Sequence, residues 1–186
     1  MIRKASLEEA KLIYTKNMEK DFPEDEIPDY NKFVKLTEKN IHDVYLYNNN
    51  NSDVAYFITV EKDNNILITH LAVIKEYRSK GIGKVLLEEI KKHFKDKNIL
   101  IVEVEAESRA NNKEELDIIN KRKRYYSNLG FVQCQNMSYI LYNVDYDILT
   151  YSPNNRTYEP KEVKKIIEEI YKAVGIDESK LKIEIN

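Results

Sequence analysis

Hydrophobic side chains recur along the chain with two periods, and the switches between them mark the elements. After a short strand pattern over Met1–Ala5, Ser6-Leu7-Glu8-Glu9 has capping-box spacing, in which a serine hydroxyl and a glutamate three residues on satisfy free helix N–H groups. Leu7, Ala10, Ile13, Tyr14 and Met18 follow at helical spacing and predict a helix to about Lys20. The linker "DFPEDEIPD" leads to a second helical pattern with Tyr30, Phe33 and Val34. From Asp43 the period changes to that of a strand. "DVYLYN" and "DVAYFITVEK" flank "NNNNS", whose asparagines tolerate the left-handed geometry of a hairpin turn. "NILITHLAV" is a third hydrophobic strand.

The period then returns to helical. Ile82, Val85, Leu86, Ile90 and Phe94 share one face, and Lys84, Glu88, Lys91 and Lys95 lie largely opposite. "NILIVEVEAE" predicts a strand, and "DIINKRKRYYSNLG" a helix capped at Gly130. "FVQCQ" and "SYILYNV" predict closing strands. Beyond "YSPNNRTYEP", Val163, Ile166, Ile167, Ile170, Tyr171 and Val174 mark an amphipathic helix that Gly175 ends. Its apolar stripe must cover something, either the domain or a second subunit in a homodimer. The order of elements gives a mixed α/β (α+β) class. The expected division is a domain over 1–145 and a helical extension over 146–186.

Composition narrows the class. The 186 residues are 42% hydrophobic and 33% charged, a globular balance, with no apolar run long enough for a membrane span. The start, "MIRKASLEEAKL", lacks the apolar core of a signal peptide. A formal net charge of −2 gives no general reason to bind nucleic acid. One cysteine and three scattered histidines argue against a disulfide or a metal centre, and a cytoplasmic location is expected.

Only four glycines occur, and two of them, Gly81 and Gly83, stand at the mouth of one helix. A strand entering a glycine-rich turn and a helix is a ready anion site, because the first helical N–H groups lack an internal partner and the dipole makes that end positive. Without β-carbons, Gly81 and Gly83 let a phosphate approach, and Arg78, Lys80 and Lys84 add positive charge. A Walker loop would need a glycine where Arg78 stands and a hydroxyl residue where Val85 stands. A dinucleotide fingerprint would need glycine at Leu86. What remains is Arg78-Ser79-Lys80-Gly81-Ile82-Gly83 after Leu71-Ala72-Val73.

That stretch resembles the coenzyme A loop of the GCN5-related N-acetyltransferases, and "YYSNLGF", Tyr125 to Phe131, resembles the family's Y-x-x-x-G-F signature. The resemblance covers residues 1 to about 145. It implies a single domain of that fold, with a central, mostly antiparallel, splayed sheet flanked by helices. It implies that acetyl-CoA is the cosubstrate, with its pyrophosphate at Arg78, Ser79, Lys80, Gly81, Ile82, Gly83 and Lys84 and its pantetheine arm paired to the backbone of Leu71, Ala72 and Val73. No metal is implied.

Acetyl transfer to an amine needs three things. An ammonium has no lone pair, and deprotonating an amine of ordinary pKa at pH 7 costs about 4.6 kcal/mol. A proton acceptor, a donor for the leaving thiolate and an N–H to polarise the carbonyl are therefore required. By resemblance the donor is Tyr126, and the polarising N–H lies in the Leu71–Val73 strand. For the base, alternation places Glu103 and Glu105 together on one strand face, and either acts through water. Many relatives carry a glutamate on the strand before the loop, where this chain has Thr69 and His70, so His70 is a further candidate at the acceptor side. The acids Asp21, Glu24, Asp25, Glu26 and Asp29 favour a cationic acceptor, either a small-molecule amine or a lysine or N-terminal amine. Arg122 and Arg124 read as surface helix. The alternative function is a non-catalytic coenzyme A-binding or regulatory module.

Overall fold

The structure is a computed structural model and describes residues 1–185. It divides into two compact units, one comprising 1–60 and 68–93 and the other 61–67 and 94–186, the last residue lying outside the described range.

In the first unit, β1 (Ile2–Lys4), β2 (Asp43–Asn49), β3 (Ser52–Lys62) and β4 (Asn65–Val73) lie side by side in chain order. The pairings of β1 with β2 and β2 with β3 are antiparallel, with Ile2 opposite Tyr47 and Tyr45 opposite Phe57. Asn50 and Asn51 both adopt positive φ, 50° and 63°, and close the β2–β3 hairpin as the asparagine run predicts. Helix α1 (Leu7–Ile13) starts on the expected capping box: the Glu9 N–H donates to Ser6 Oγ at 3.2 Å, and the Ser6 N–H to Glu9 Oε2 at 2.8 Å. The helix does not run on evenly. A π-helical turn over Tyr14–Met18 intervenes before the short α2 (Glu19–Asp21), and α3 (Tyr30–Glu38) follows. Ala10, Ile13, Tyr14, Met18 and Phe33 from these helices pack with Val44, Leu46, Tyr56, Ile58 and Ala72 of the strands. The first unit ends with α4 (Ile82–His93).

The second unit holds the tip of the β3–β4 hairpin, where the Asn98 N–H donates to Asn64 O at 2.9 Å and Lys97 pairs with Glu61. Its strands β5 (Ile99–Glu105), β8 (Val144–Tyr151), β7 (Met137–Leu141) and β9 (Leu181–Ile185) are neighbours in that order, all antiparallel, and β6 (Val132–Gln133) also pairs with β8. Helix α5 (Lys113–Ser127) begins on Asn112, and Gly130 follows it at φ 86°. Helix α6 (Pro160–Val174) ends on Gly175 at φ 72°, and buries Val163, Ile167, Ile170 and Tyr171. The boundary expected after residue 145 falls inside β8, six of whose residues pair with β5 from Leu100 opposite Tyr151 to Glu105 opposite Tyr146. The pattern of hydrophobic positions did not predict β9.

Candidate active site

The turn from β4 to α4 is built from constrained backbone. Ser79 has φ 62° and Gly81 φ 74°, so two of the residues before the helix sit in the left-handed region. For glycine this costs nothing sterically, whereas Ser79 holds the conformation at a cost of about 1–2 kcal/mol. A β-carbon placed on Gly81 would meet no heavy atom within 4 Å, so the space over this residue is open. Ile82, Gly83 and Lys84 form the first turn of α4, the positive end of its dipole. Lys80 folds back, donating from Nζ to Glu76 O at 3.1 Å, with the Tyr77 ring centroid 5.5 Å away. Arg78 donates from Nε to Val73 O at 2.8 Å and from Nη2 to Asp21. An open cradle, a helix start and a half-exposed guanidinium fit a diphosphate. Leu71, Ala72 and Val73 close β4 beside this turn, as their extended pattern predicts.

His70 and Glu26 are brought together. Nε2 of His70 lies 3.1 Å from the carbonyl oxygen of Glu26 and Nδ1 lies 3.0 Å from Thr69 Oγ1. A carbonyl only accepts, so Nε2 carries the proton and the Nδ1 lone pair faces the Thr69 hydroxyl. Burial pushes the His70 pKa down to about 4, and the ring is neutral at pH 7 with its lone pair engaged. Phe22 meets it edge-on, centroids 4.9 Å apart. The acidic segment is also less uniform than its sequence. Asp21 is consumed by Arg78, and Asp29 caps α3 by accepting the Lys32 N–H at 3.0 Å. Glu24, Asp25 and Glu26 form one 3-10 turn.

In the second unit, Tyr126 is 8% exposed and packs edge-on against Tyr125 and Phe131. Burial raises its hydroxyl pKa to about 12, with Arg122 lowering it and Glu105 raising it. Glu105 is paired with Arg122, which lies on the exposed side of α5 as its surface-helix pattern predicts. It also lines a pocket of about 270 Å³ with Arg109, Asn111, Glu115, Ile118 and Ile119. Glu103 is held differently. Tyr171 of α6 donates to its two oxygens, at 2.7 and 2.9 Å, and Tyr139 of β7 donates to Oε1. Withdrawal from water raises the Glu103 pKa, and the two hydroxyls, which favour the charged form, only partly offset that.

Neither the tyrosine partners of Glu103 nor the pairing of Asp21 with Arg78 is foreshadowed in the sequence. Their separations of 36, 68 and 57 residues from Glu103 or Arg78 carry no periodic signal. Among the described residues, no group of three or more His, Cys, Asp or Glu side chains is placed to hold a metal ion. No helix among them is long and apolar enough to cross a membrane.

The family model for the acetyltransferase (GNAT) domain matches residues 40–133, just over half of the chain, and includes both the turn at Arg78–Gly83 and Tyr126. The chain belongs to the GNAT acetyltransferase family. Among solved structures, it is similar to a GNAT-family protein from Bacteroides thetaiotaomicron at 14% identity and TM-score 0.79, over 95% of this chain and 99% of that one. It is also similar to the ribosomal-protein-S18-alanine N-acetyltransferase of Escherichia coli, at 18% identity and TM-score 0.58, over 85% and 99% of the two chains. A third is the dodecameric spermidine N-acetyltransferase of Vibrio cholerae, at 12% identity and TM-score 0.59, over 85% and 98%. At these identities the likeness shows the GNAT fold, a mixed α+β architecture with a mostly antiparallel sheet flanked by helices. No curated protein matches the sequence.

Proposed function

We propose that this GNAT protein is an N-acetyltransferase that moves an acetyl group from acetyl-CoA to a primary amine. The observation that carries the reading is the β4–α4 turn, with open space over left-handed Gly81 and Arg78 pinned beside it. Arg78 and the backbone N–H groups of Ser79 to Lys84 hold the diphosphate, and the edge of Leu71–Val73 aligns the pantetheine arm and polarises the thioester carbonyl. When bound, acetyl-CoA supplies an activated acyl group on a thiolate leaving group. Lys80 and Lys84 add charge to the turn.

The chain's own groups move the protons. Of the two carboxylates proposed as base, Glu103 is the better suited, because its raised pKa makes it a stronger base, whereas Glu105 is engaged by Arg122. Glu103 takes the amine proton through a water, and the Tyr139 and Tyr171 hydroxyls keep its carboxylate oriented. Tyr126, with a pKa near 12, keeps its proton at neutral pH and gives it to the leaving thiolate. His70 orders the acceptor-side segment through Glu26 rather than accepting a proton. Glu24, Asp25 and Glu26 favour a cationic amine. Two of the similar solved structures are N-acetyltransferases named for spermidine and for an alanine of ribosomal protein S18.

The second reading, a coenzyme A-binding module without transfer, draws on Thr69 and the locked His70, which leave β4 without a base. An acceptor screen with mass detection separates the two. The enzyme reading expects a product 42 Da heavier than at least one amine. Acetyl-CoA binding with no product from any amine supports the module.

A further inference from the structure

Asp21 belongs to an acidic surface run, yet its side chain is only 6% exposed. Its two oxygens have separate partners: Oδ2 accepts the hydroxyl of the wholly buried Tyr56 at 2.9 Å, and Oδ1 accepts Arg78 Nη2. A carboxylate so shielded needs a cation, and Arg78 is that cation. The guanidinium is fixed a second time by Nε, which donates to Val73 O. Two of its five N–H groups are thereby committed and three are left to offer, on a side chain still 46% exposed. An arginine already set in place loses little further freedom when an anion arrives. Past Asp21 the chain continues into Phe22, packed on His70, and on to Glu26, whose carbonyl His70 holds.

We propose that Asp21 is a positioning residue: it presets Arg78 for the diphosphate and ties the acidic segment Phe22–Asp29 to the occupancy of the turn. The role rests on the coenzyme A reading of that turn. Because coupling between two sites is reciprocal, a diphosphate that tightens Arg78 also steadies the acidic segment, and a bound acceptor favours the cofactor. Asp21 therefore acts through Arg78 and touches neither ligand.

The test is a double-mutant cycle read by calorimetry with acetyl-CoA, each variant first shown to melt cooperatively. Asp21→Asn and Arg78→Gln are each expected to weaken binding about tenfold, and the double variant to bind no worse than Arg78→Gln alone, since the two act as one unit. Tyr56→Phe, which keeps the core filled, is expected to weaken binding about threefold, by loosening the carboxylate. Acetyl-CoA should also slow proteolysis within residues 22–29 of the wild-type chain, and not of Asp21→Asn. Losses that add, or an Asp21→Asn variant that binds as tightly as wild type or more tightly, overturn the role of Asp21 while leaving the coenzyme A reading in place. A wild-type chain that binds no acetyl-CoA overturns both.

Discussion

Two carboxylates withdrawn from solvent, one in each compact unit, are stabilised in different ways. Asp21 in the first accepts one tyrosine hydroxyl and a guanidinium. Glu103 in the second accepts two tyrosine hydroxyls. Paired with a cation, Asp21 serves to fix the charge of Arg78, a group that an anionic ligand can reach. Held by neutral donors, Glu103 keeps a pKa above the ordinary carboxylate value, as burial outweighs the two hydroxyls. In the proposed mechanism the partner decides the use: the first arrangement serves binding and the second proton transfer. Substitutions in the first unit should accordingly act on affinity, and those in the second on turnover or stability.

The largest effect should come from the second unit. Tyr126→Phe is expected to lower kcat about a hundredfold, the lower end of the range for losing a general acid, with acetyl-CoA affinity unchanged in calorimetry. Turnover unaltered, or a parallel loss of affinity, would break the division between the units. Tyr171→Phe removes a donor from Glu103 and should cost about 1–2 kcal/mol in denaturant unfolding. Because that hydroxyl holds the Glu103 pKa down, its loss should also move the acidic limb of kcat/KM to higher pH.

Acid should act on the two units in opposite senses. Burial lowers the pKa values of His42 and His70 to about 4 from 6.5, so the stability tied to their neutral forms is present above pH 6.5 and drains away as pH falls towards 4. Glu103 is raised above 4.5, so its contribution is full at low pH and is lost as pH climbs from about 4.5 towards its folded value. Each group gives a slope of at most about 1.4 kcal/mol per pH unit. Glu103→Gln should remove the loss on the rising side and leave the acid-side loss intact; a thermal-melt series across pH that keeps both slopes would contradict this. The smallest effect expected is Gly81→Ala. With open space around the β-carbon, only the positive φ is penalised, by about 1 kcal/mol, and stability should fall by that much as affinity for acetyl-CoA weakens.

What could be read from the chain was local. The capping box at Ser6, the asparagine turn, β4 to its last residue and the glycine after α6 each depend on neighbours a few positions away, and each appears where the pattern places it. The turn at Arg78–Gly83 was legible for the same reason, although the left-handed Ser79 was not, since serine gives no sign of positive φ. The π-helical turn at Tyr14–Met18 keeps the same buried residues as a regular helix would, so the period could not reveal it. The closing-strand pattern "SYILYNV" covers most of β7 and only the first residue of β8, because the acids and tyrosines of β8 alternate with few deeply buried positions: only Ile148 and Leu149 are fully enclosed. The α6 stripe announced that it covers something, but that Tyr171 would meet Glu103 is a long-range fact. Asp21 looked like one acid among five; only the fold separates it from the rest.

The most direct test of the account is calorimetric titration of acetyl-CoA, and of free coenzyme A, into the wild-type chain and into Arg78→Gln. Saturable binding of both ligands to the wild type, weakened about tenfold or more in the variant, is the expected result. Absence of heat from either ligand, or equal affinity in the two proteins, would contradict the claim that this turn holds the diphosphate.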